Sequence, residues 1–256
     1  MLFRSYDDTV ATILGHELID GIHTFKKINY ASSITLRQLL NHTSGIGDYF
    51  EDKPKYDKPM LERIEEFPYQ DYNPIDIVNW SKKNIDSLFK PDCGFHYSDT
   101  GYHLLGLVIE KIVGLPLDQV MENYIFKPLN MKRTYLASRH NSIKIDDKDI
   151  CDVYWNEKNV KDYSIFKNDF AGGGIVTTSN DLLIFFKSVV NHQIISKSTL
   201  DKMTTWSRFT SFKLIGIEYG LGLMNLKTIP FLFPKKFSSY GRSEEHTSEL
   251  QSLSHL

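Results

Sequence analysis

One segment constrains the fold of this chain more than any other, an amphipathic helix predicted over Thr100 to Val113. Its apolar side chains recur at helical spacing and form one broad face, made of Leu104, Leu105, Val108, Ile109 and Ile112. Gly114 and then Pro116 end the helix, because glycine favours the left-handed turn after a helix and proline cannot continue one. A face of this width must be buried, so other apolar elements of the chain have to pack against it.

Capping residues predict where further helices begin. Thr35 and Gln38 form a T-x-x-Q capping box that opens a helix over Leu36 to Leu40, with Gly45 as its stop. Asn73 followed by Pro74 is typical of an N-cap with proline at the first helical position. Pro91 is predicted to close that helix. Thr178 and Asp181 are predicted to form a second capping box. Two further helices are predicted, from Leu117 to about Tyr124 and from Thr199 to Met203.

Signals for strands are fewer. Residues Ile150 to Trp155 and Val160 to Phe166 flank the polar stretch Asn156 to Asn159, which predicts a hairpin. A further strand is predicted over Tyr219 to Leu226. The mixture of charged residues, prolines and tyrosines between Tyr49 and Tyr72 indicates a long surface loop with one helical turn, and loops of that length are often functional lids. The pattern predicts a helix-rich α+β protein.

Composition excludes several classes of protein. The 256 residues are 41% hydrophobic and carry a net charge of −2, which supplies a core but no basic surface for nucleic acid. No apolar run approaches the roughly 18–20 residues that span a bilayer. Cys93 and Cys151 are the only cysteines, too few for a zinc or disulfide framework, and we interpret them as unpaired thiols.

The densest polar cluster, Phe95 to Tyr102, lies at the start of the strongest helix. A helix N-terminus offers free N–H groups and the positive end of a dipole, which suits a site where negative charge develops. The simpler interpretation is that Ser98, Asp99 or Thr100 only caps the helix. Position alone leaves both interpretations open.

Four blocks of sequence, taken together, resemble one family. They are Ile34 to Ile46 with its H-T-S-G, Tyr97 to Glu110 with its Y-S-D-T-G-Y, Ile125 to Met131, and Ala171 to Asp181. Their order and spacing are similar to those of the serine β-lactamase-related family, in its class C β-lactamase and D-alanyl-D-alanine carboxypeptidase-like branch. The resemblance covers residues 6–241. It implies a β-lactamase/transpeptidase-like α+β fold, of which a helical subdomain lies mostly within residues 30–190.

The resemblance also implies acyl transfer through a serine, using S-x-x-K, Y-x-N and K-T-G or H-T/S-G elements. Only the second element transfers, and it makes Tyr97 and Asp99 the candidate catalytic residues. In the family the tyrosine carries the proton of the nucleophile, which a phenol of pKa near 10 does poorly at neutral pH without help. Asp99 stands where many relatives have Asn, and an ionised Asp accepts hydrogen bonds without donating them.

The nucleophile motif is the element that this sequence does not supply. Residues Ser87 to Lys90 and Ser164 to Lys167 fit S-x-x-K as letters. The first stretch lies directly before Pro91 and the second in the predicted hairpin, whereas a nucleophile and its lysine need one face of a helix. By family order the true motif should precede Tyr6. We therefore expect the chain to be inactive and to lack the nucleophile helix and several strands of the antiparallel sheet.

Two further motifs have structural interpretations. His42 to Gly45 imitates the H-T/S-G strand motif but matches the H-T-S-G with which the family ends a helix, while Tyr240 and Gly241 look like the start of the strand motif itself. Gly172 to Gly174 lacks the Lys-Ser/Thr of a phosphate loop. The resemblance places these glycines in a tight segment beside the active-site cleft, where a positive φ is needed.

The two ends of the chain differ from the rest. Residues 242–256 are polar and without periodicity, and Arg242 to Ser252 resemble a translated sequencing adapter; residues 1–5 resemble the same adapter read from its other strand. We therefore expect three parts: adapter-derived residues 1–5, a partial β-lactamase-related domain over residues 6–241, and an adapter-derived tail over residues 242–256.

These observations predict a serine hydrolase that acts on β-lactams, D-Ala-D-Ala peptides, esters or amides, without a cofactor. The expected partner is a small molecule or peptide, not nucleic acid. A metal site built from His96, Asp99 and His103 is not expected, because their spacing fits no helix face. Family habit predicts a periplasmic or extracellular protein. Two alternatives remain, a non-catalytic relative that binds peptidoglycan-like peptides or a protein partner, and a metal-dependent amidase.

Overall fold

A computed structural model describes residues 5–137, 150–155, 157–164, 169–207, 217–227 and 238–241. Helices dominate these ranges, and they are α1 (Val10–Leu14), α2 (His16–Ile19), α3 (Leu36–Leu40), α4 (Met60–Glu66), α5 (Pro74–Asn84), α6 (Asp99–Val113), α7 (Leu117–Met121), α8 (Ser179–Val190) and α9 (Lys197–Met203). A 3₁₀ turn (Ala31–Ser33) precedes α3, and a π-helical turn (Glu122–Phe126) continues α7. No helix of the described part is long and apolar enough to cross a membrane.

The described strands are short and antiparallel. The two-stranded pairs are β1 (Thr24–Phe25) with β2 (Ile28–Asn29), β3 (Tyr135–Leu136) with β6 (Ile175–Val176), and β4 (Tyr154–Trp155) with β5 (Lys158–Asn159). A three-stranded sheet has the order β7 (Ile217–Tyr219), β8 (Met224–Lys227) and β9 (Ser238–Gly241). The predicted helix-rich α+β organisation is therefore confirmed.

The predicted helix starts are confirmed by their hydrogen bonds. Both halves of the capping box are formed at Thr35 and at Asn73. At Thr178 only one half forms, because the Asp181 carboxylate instead accepts hydrogen bonds from the Arg133 N–H at 2.9 Å and from the Thr134 hydroxyl at 2.9 Å. Asp181, in the first turn of α8, thus ties that helix to the segment before β3.

Of the predicted helix ends, the one at Pro91 is wrong. The helix α3 ends at Leu40 as predicted, although the first left-handed residue after it is His42 (φ 59°), three residues before the left-handed Gly45 (φ 77°). The helix α5 ends at Asn84, seven residues before Pro91, because Ile85 takes an extended conformation. The helix α6 ends as its glycine predicts, at a left-handed Gly114.

The helix α6 lies at the centre of the main apolar core. Its buried residues Leu104, Leu107 and Val108 pack with apolar residues of α1, α2 and α3. The predicted face is wrong at its outer edge, because Ile109 and Ile112 are each 37% exposed. The buried surface instead extends toward the polar N-terminal end of the helix, where Thr100 and His103 are also buried.

The region predicted as a loop between Tyr49 and Tyr72 has a core of its own. It contains α4, seven residues long, and its Met60 is buried with Tyr49 and with Ile77 of α5. The Asp57 carboxylate accepts one hydrogen bond from Arg63 of α4 at 2.8 Å and one from Trp80 of α5 at 2.7 Å, and the second ties the region to α5. A packed unit therefore replaces the single helical turn that was expected.

Two predicted β segments form with shifted boundaries, the hairpin around residues 156–159 and the strand over Tyr219 to Leu226. In the first, β4 pairs with β5 so that Lys158 and Asn159, expected in the turn, are strand residues; Asn156, Ile165, Phe166 and Lys167 lie outside the described residues. In the second, the predicted single strand over Tyr219 to Leu226 is itself a hairpin, because β7 and β8 pair across the turn between Tyr219 and Met224.

Candidate active site

Tyr97, Ser98 and Asp99 occupy three consecutive positions at the start of α6. Ser98 is the N-cap, and its hydroxyl accepts a hydrogen bond from the Gly101 N–H at 3.3 Å while donating one to the Gly47 carbonyl at 3.1 Å. Asp99 is therefore free of the capping role and lies in the first helical turn, where the helix dipole favours a negative charge. The Tyr97 hydroxyl donates a hydrogen bond to Asp99 Oδ1 at 3.1 Å. The two predicted site residues are in direct contact.

An aromatic cluster holds the ring of Tyr97. We define it as His42, Phe95, Tyr97, Tyr102 and Tyr219. The buried His42 ring stacks on Tyr97 at 4.4 Å and on Tyr102 at 5.1 Å between ring centroids, and Tyr219 of β7 meets it edge-on at 5.1 Å. His42 Nδ1 also accepts the Ser98 N–H at 3.1 Å. The H-T-S-G histidine is therefore structural, as predicted, but its role is to support the tyrosine of the site.

Asp99 also belongs to an acidic cluster, which we define as Asp48, Asp99 and Asp169. All three act electrostatically on Tyr49, which is fully buried beside them. The Tyr49 hydroxyl donates to Asp169 Oδ1 at 3.3 Å, and the Tyr49 N–H donates to the hydroxyl of Thr100 at 2.9 Å. Residues from three separate segments thus bring their carboxyl groups to the N-terminus of α6.

Burial and like charges perturb two groups of this cluster. The pKa of Asp48 is raised well above its ordinary value, chiefly by burial and then by the charge of Asp99, although the Phe50 N–H bonded to Oδ1 opposes the shift. Burial, followed by the charges of Asp169 and Asp99, raises the pKa of Tyr49 well above its ordinary value. Both groups therefore favour their protonated forms.

His103 lies one helical turn after Asp99 and is fully buried. Its ring meets Tyr49 edge-on at 5.0 Å, and neither ring nitrogen has a hydrogen-bond partner among the described residues. Burial lowers the pKa of His103 to about 3, so the ring is neutral at neutral pH. His96, by contrast, is half-buried and pairs with Asp52 at 2.9 Å between Nε2 and Oδ2.

The glycines of the A-G-G-G-I-V block pack directly against this site. A side chain at Gly172 would lie 2.7 Å from Asp169 Oδ1 and 3.4 Å from Asp99 Cγ, and Gly174 has a φ of +71°. The close approach at Gly172 and the left-handed backbone at Gly174 account for two of the three glycines. The glycine block therefore lies beside Asp99, one of the two candidate catalytic residues.

The structure does not support either S-x-x-K stretch as the nucleophile. Ser87 and Lys90 lie after the end of α5, outside any helix, and the Ser87 hydroxyl accepts a hydrogen bond from the Thr24 N–H at 3.0 Å. Ser164 is buried, and its N–H donates to the carbonyl of Pro68 at 2.8 Å; the lysine of its motif lies outside the described residues. Within the described residues, neither stretch places a serine and a lysine on one face of a helix.

Sequence reasoning missed three residues of the site: Asp48, Tyr49 and Asp169. Asp48 lies three residues after the last residue of the H-T-S-G motif and is followed by Tyr49, and Asp169 lies three residues before the first of the three glycines. Their closeness to recognised motifs was the available signal. Among the described residues, no group of three or more His, Cys, Asp and Glu side chains is arranged to hold a metal ion. The arrangement brings together a phenol, its carboxyl acceptor and a helix N-terminus, which can carry protons and face developing negative charge.

Comparison with known proteins gives consistent relatives. A sequence profile of the Beta-lactamase family matches residues 4–229. Penicillin-binding protein 4* of Bacillus subtilis (strain 168) is 27% identical over 207 residues, which are 75% of this chain and 43% of that protein. The chain therefore spans about two fifths of the length of this curated relative.

Solved structures share the fold. A D-stereospecific amidohydrolase from Streptomyces sp. matches 93% of this chain and 67% of its own, with a TM-score of 0.74 and 27% identity. The D-amino acid amidase from Ochrobactrum anthropi SV3 matches 87% of this chain and 58% of its own, with a TM-score of 0.67 and 21% identity. With its profile match and its shared fold, the chain belongs to the beta-lactamase family of serine hydrolases.

Proposed function

We propose that the chain carries the tyrosine half of an acyl-transfer site, in a hydrolase that acts through an acyl-enzyme on β-lactam, D-Ala-D-Ala peptide, ester or amide substrates. The observation that carries this proposal is the hydrogen bond from Tyr97 to Asp99 at the N-terminus of α6. The proton of the nucleophile moves to the phenolic oxygen as the phenol's own proton shifts toward Asp99 Oδ1. The reverse shift then returns a proton to the leaving group.

The nucleophile in this proposal is neither Ser87 nor Ser164, and the natural protein supplies it from a segment that precedes Tyr6. Support comes from the order of motifs in the family and from the irregular backbone around Ser87. We accordingly propose that the 256-residue chain is inactive on its own. A periplasmic or extracellular location, by family habit, is part of the same proposal.

The experiment is kinetic and uses the full-length product of the gene. Tyr97→Phe should lower the rate of acylation by a fluorescent penicillin or an activated ester by about 10²–10⁴-fold, the usual contribution of a positioned acid–base group. The matched control is Tyr102→Phe, which removes a hydroxyl bonded to the Leu40 carbonyl from the same aromatic cluster.

Two results would count against the proposal. An unchanged acylation rate in Tyr97→Phe would remove Tyr97 from the mechanism. A full-length protein that no serine-reactive probe labels, but that binds peptidoglycan-like peptides, would instead be the non-catalytic relative.

A further inference from the structure

One face of α6 carries Asp99, His103 and Gly106, whose spacing of four and then three residues stacks them along the helix. The chain segment that contains Phe170 and Gly172 runs along this face in the opposite direction. A Cβ built on Gly172 would lie 3.4 Å from Asp99 Cγ. The ring of Phe170 lies further along, 5.7 Å from the ring of His103 between centroids. The segment therefore lies along α6 from Gly106 to Asp99.

The ring of Phe170 occupies the space that Gly106 leaves by having no side chain. A Cβ on Gly106 would lie 2.9 Å from Phe170 Cζ and 2.6 Å from Ala171 Cβ, closer than non-bonded carbon atoms pack. Glycine inside a helix costs stability relative to alanine, so a buried glycine at this position needs a reason. The reason is the close approach of the segment, whose Phe170 also packs against the main apolar core.

The backbone of Phe170 lies in the left-handed region, with a φ of +47°. Bulky side chains disfavour this conformation, whereas glycine accepts it readily, yet the three glycines of the block are residues 172–174. The Phe170 ring is therefore present where the backbone alone would favour glycine. The residue before it is held as well, because Asp169 Oδ1 accepts the Tyr49 hydroxyl at 3.3 Å and the Asp169 carbonyl accepts the Gly172 N–H at 2.8 Å.

We propose that Phe170 is a positioning residue of the active site. Its ring, packed at Gly106, holds Gly172 against Asp99. The backbone at Gly172 limits the movement of the Asp99 carboxylate, so that Oδ1 stays where it accepts the Tyr97 hydroxyl at 3.1 Å. A displacement of about 1 Å at a reacting group can cost on the order of 10²-fold in rate. The effect of Phe170 on the rate rests on the proposed function, whereas its effect on the placement of Asp99 does not.

The test compares tyrosine ring signals by NMR in variants of the 256-residue chain. Phe170→Gly removes the ring and suits the left-handed backbone, and it should shift the ring signals of Tyr97, although Asp99 and Gly106 are roughly 10 Å apart along the helix. The matched control is Leu105→Ala, which shortens another partly buried side chain of the same core. It should lower the stability to urea and leave the Tyr97 signals in place. Unmoved Tyr97 signals in Phe170→Gly, or equal shifts in the two variants, overturn the proposal.

A second pair of variants displaces the ring without altering its segment. Gly106→Ala adds a methyl group where the Phe170 ring lies, so it should lower the urea midpoint and shift the Tyr97 signals. The control for the midpoint is Gly101→Ala in the same helix, where the nearest atom to the new methyl, Leu39 Cδ2, is at 3.5 Å and no loss is expected. Unmoved Tyr97 signals in Gly106→Ala would contradict the positioning role, and this variant decides alone if Phe170→Gly fails to fold. Because neither measurement uses turnover, a failure here is distinct from a failure of the acyl-transfer proposal.

Discussion

The burial of His103 makes the stability of the folded chain depend on pH. The unfolded chain binds a proton on this histidine near pH 6.5, but the folded chain does so only near pH 3, because the charged ring would be desolvated. Between these values the unfolded state holds more protons than the folded state. The stability contributed by the neutral ring is therefore present above pH 6.5 and is lost as the pH falls toward 3.

This predicts a specific pH dependence of folding. Between pH 7 and pH 5, His103→Leu should lose about 2 kcal/mol less unfolding free energy than the wild-type chain, since each pH unit below 6.5 is worth about 1.4 kcal/mol. Urea unfolding at the two pH values measures the difference. His16→Leu serves as control, because it removes a histidine that is exposed rather than buried. An identical loss in His103→Leu and wild type would show that the buried ring is not the cause.

The residues of the site were predictable to the extent that they belong to one local motif. Tyr97 and Asp99 follow from the Y-S-D block, and their contact needs only two residues of chain. Asp48 and Asp169 were not predictable, because they reach Tyr49 and Asp99 through tertiary contacts. The hydrogen bond from Tyr49 to Asp169 spans 120 residues, and a pattern of local spacing carries no information about such a pairing.

At the scale of elements, the N-terminus of α6 depends on one buried serine. Ser98 both caps the helix and donates to the Gly47 carbonyl, so Ser98→Ala removes two hydrogen bonds and takes away the partner of two buried backbone groups, the Gly101 N–H and the Gly47 carbonyl. We expect it to lower the free energy of unfolding by about 2–3 kcal/mol. Ser196→Ala provides the matched control, because Ser196 caps α9 at an exposed position and should cost about 1 kcal/mol or less.

Urea unfolding of both variants checks this prediction, provided that the unfolding free energy falls with urea concentration at the same slope in each variant. An equal cost at the two caps would mean that the Gly47 contact contributes nothing. A loss confined to the region of α6, seen by amide hydrogen exchange, would further show that the cap stabilises the site locally.

Helix starts were easier to predict than helix ends or the packed region between Tyr49 and Tyr72. A cap is a bond between residues three positions apart, as at Thr35 and Asn73, so the sequence pattern contains it. The end of α5 and the packed unit around Met60 depend on contacts with distant residues. The predicted outer face of α6 was wrong for the same reason, because the orientation of a helix is set by what packs against it, and Ile109 and Ile112 remain 37% exposed.

At the scale of the whole molecule, the site joins segments that lie far apart in the chain. The aromatic cluster takes His42 from the turn after α3, Tyr97 from the start of α6 and Tyr219 from β7. The family resemblance correctly predicted the fold class because its four blocks keep their order and spacing over most of the chain. It could not predict Asp48 and Asp169, which lie just outside the recognised blocks.

We propose above all that this chain carries the tyrosine half of an acyl-transfer site without a competent nucleophile. The most direct measurement is treatment of the purified 256-residue chain with a fluorescent penicillin and a fluorophosphonate, followed by mass spectrometry, beside a penicillin-binding protein as positive control. We expect labelling of the control and no labelled serine in the chain. A covalent adduct on Ser87, Ser164 or any other serine of the chain would contradict the claim.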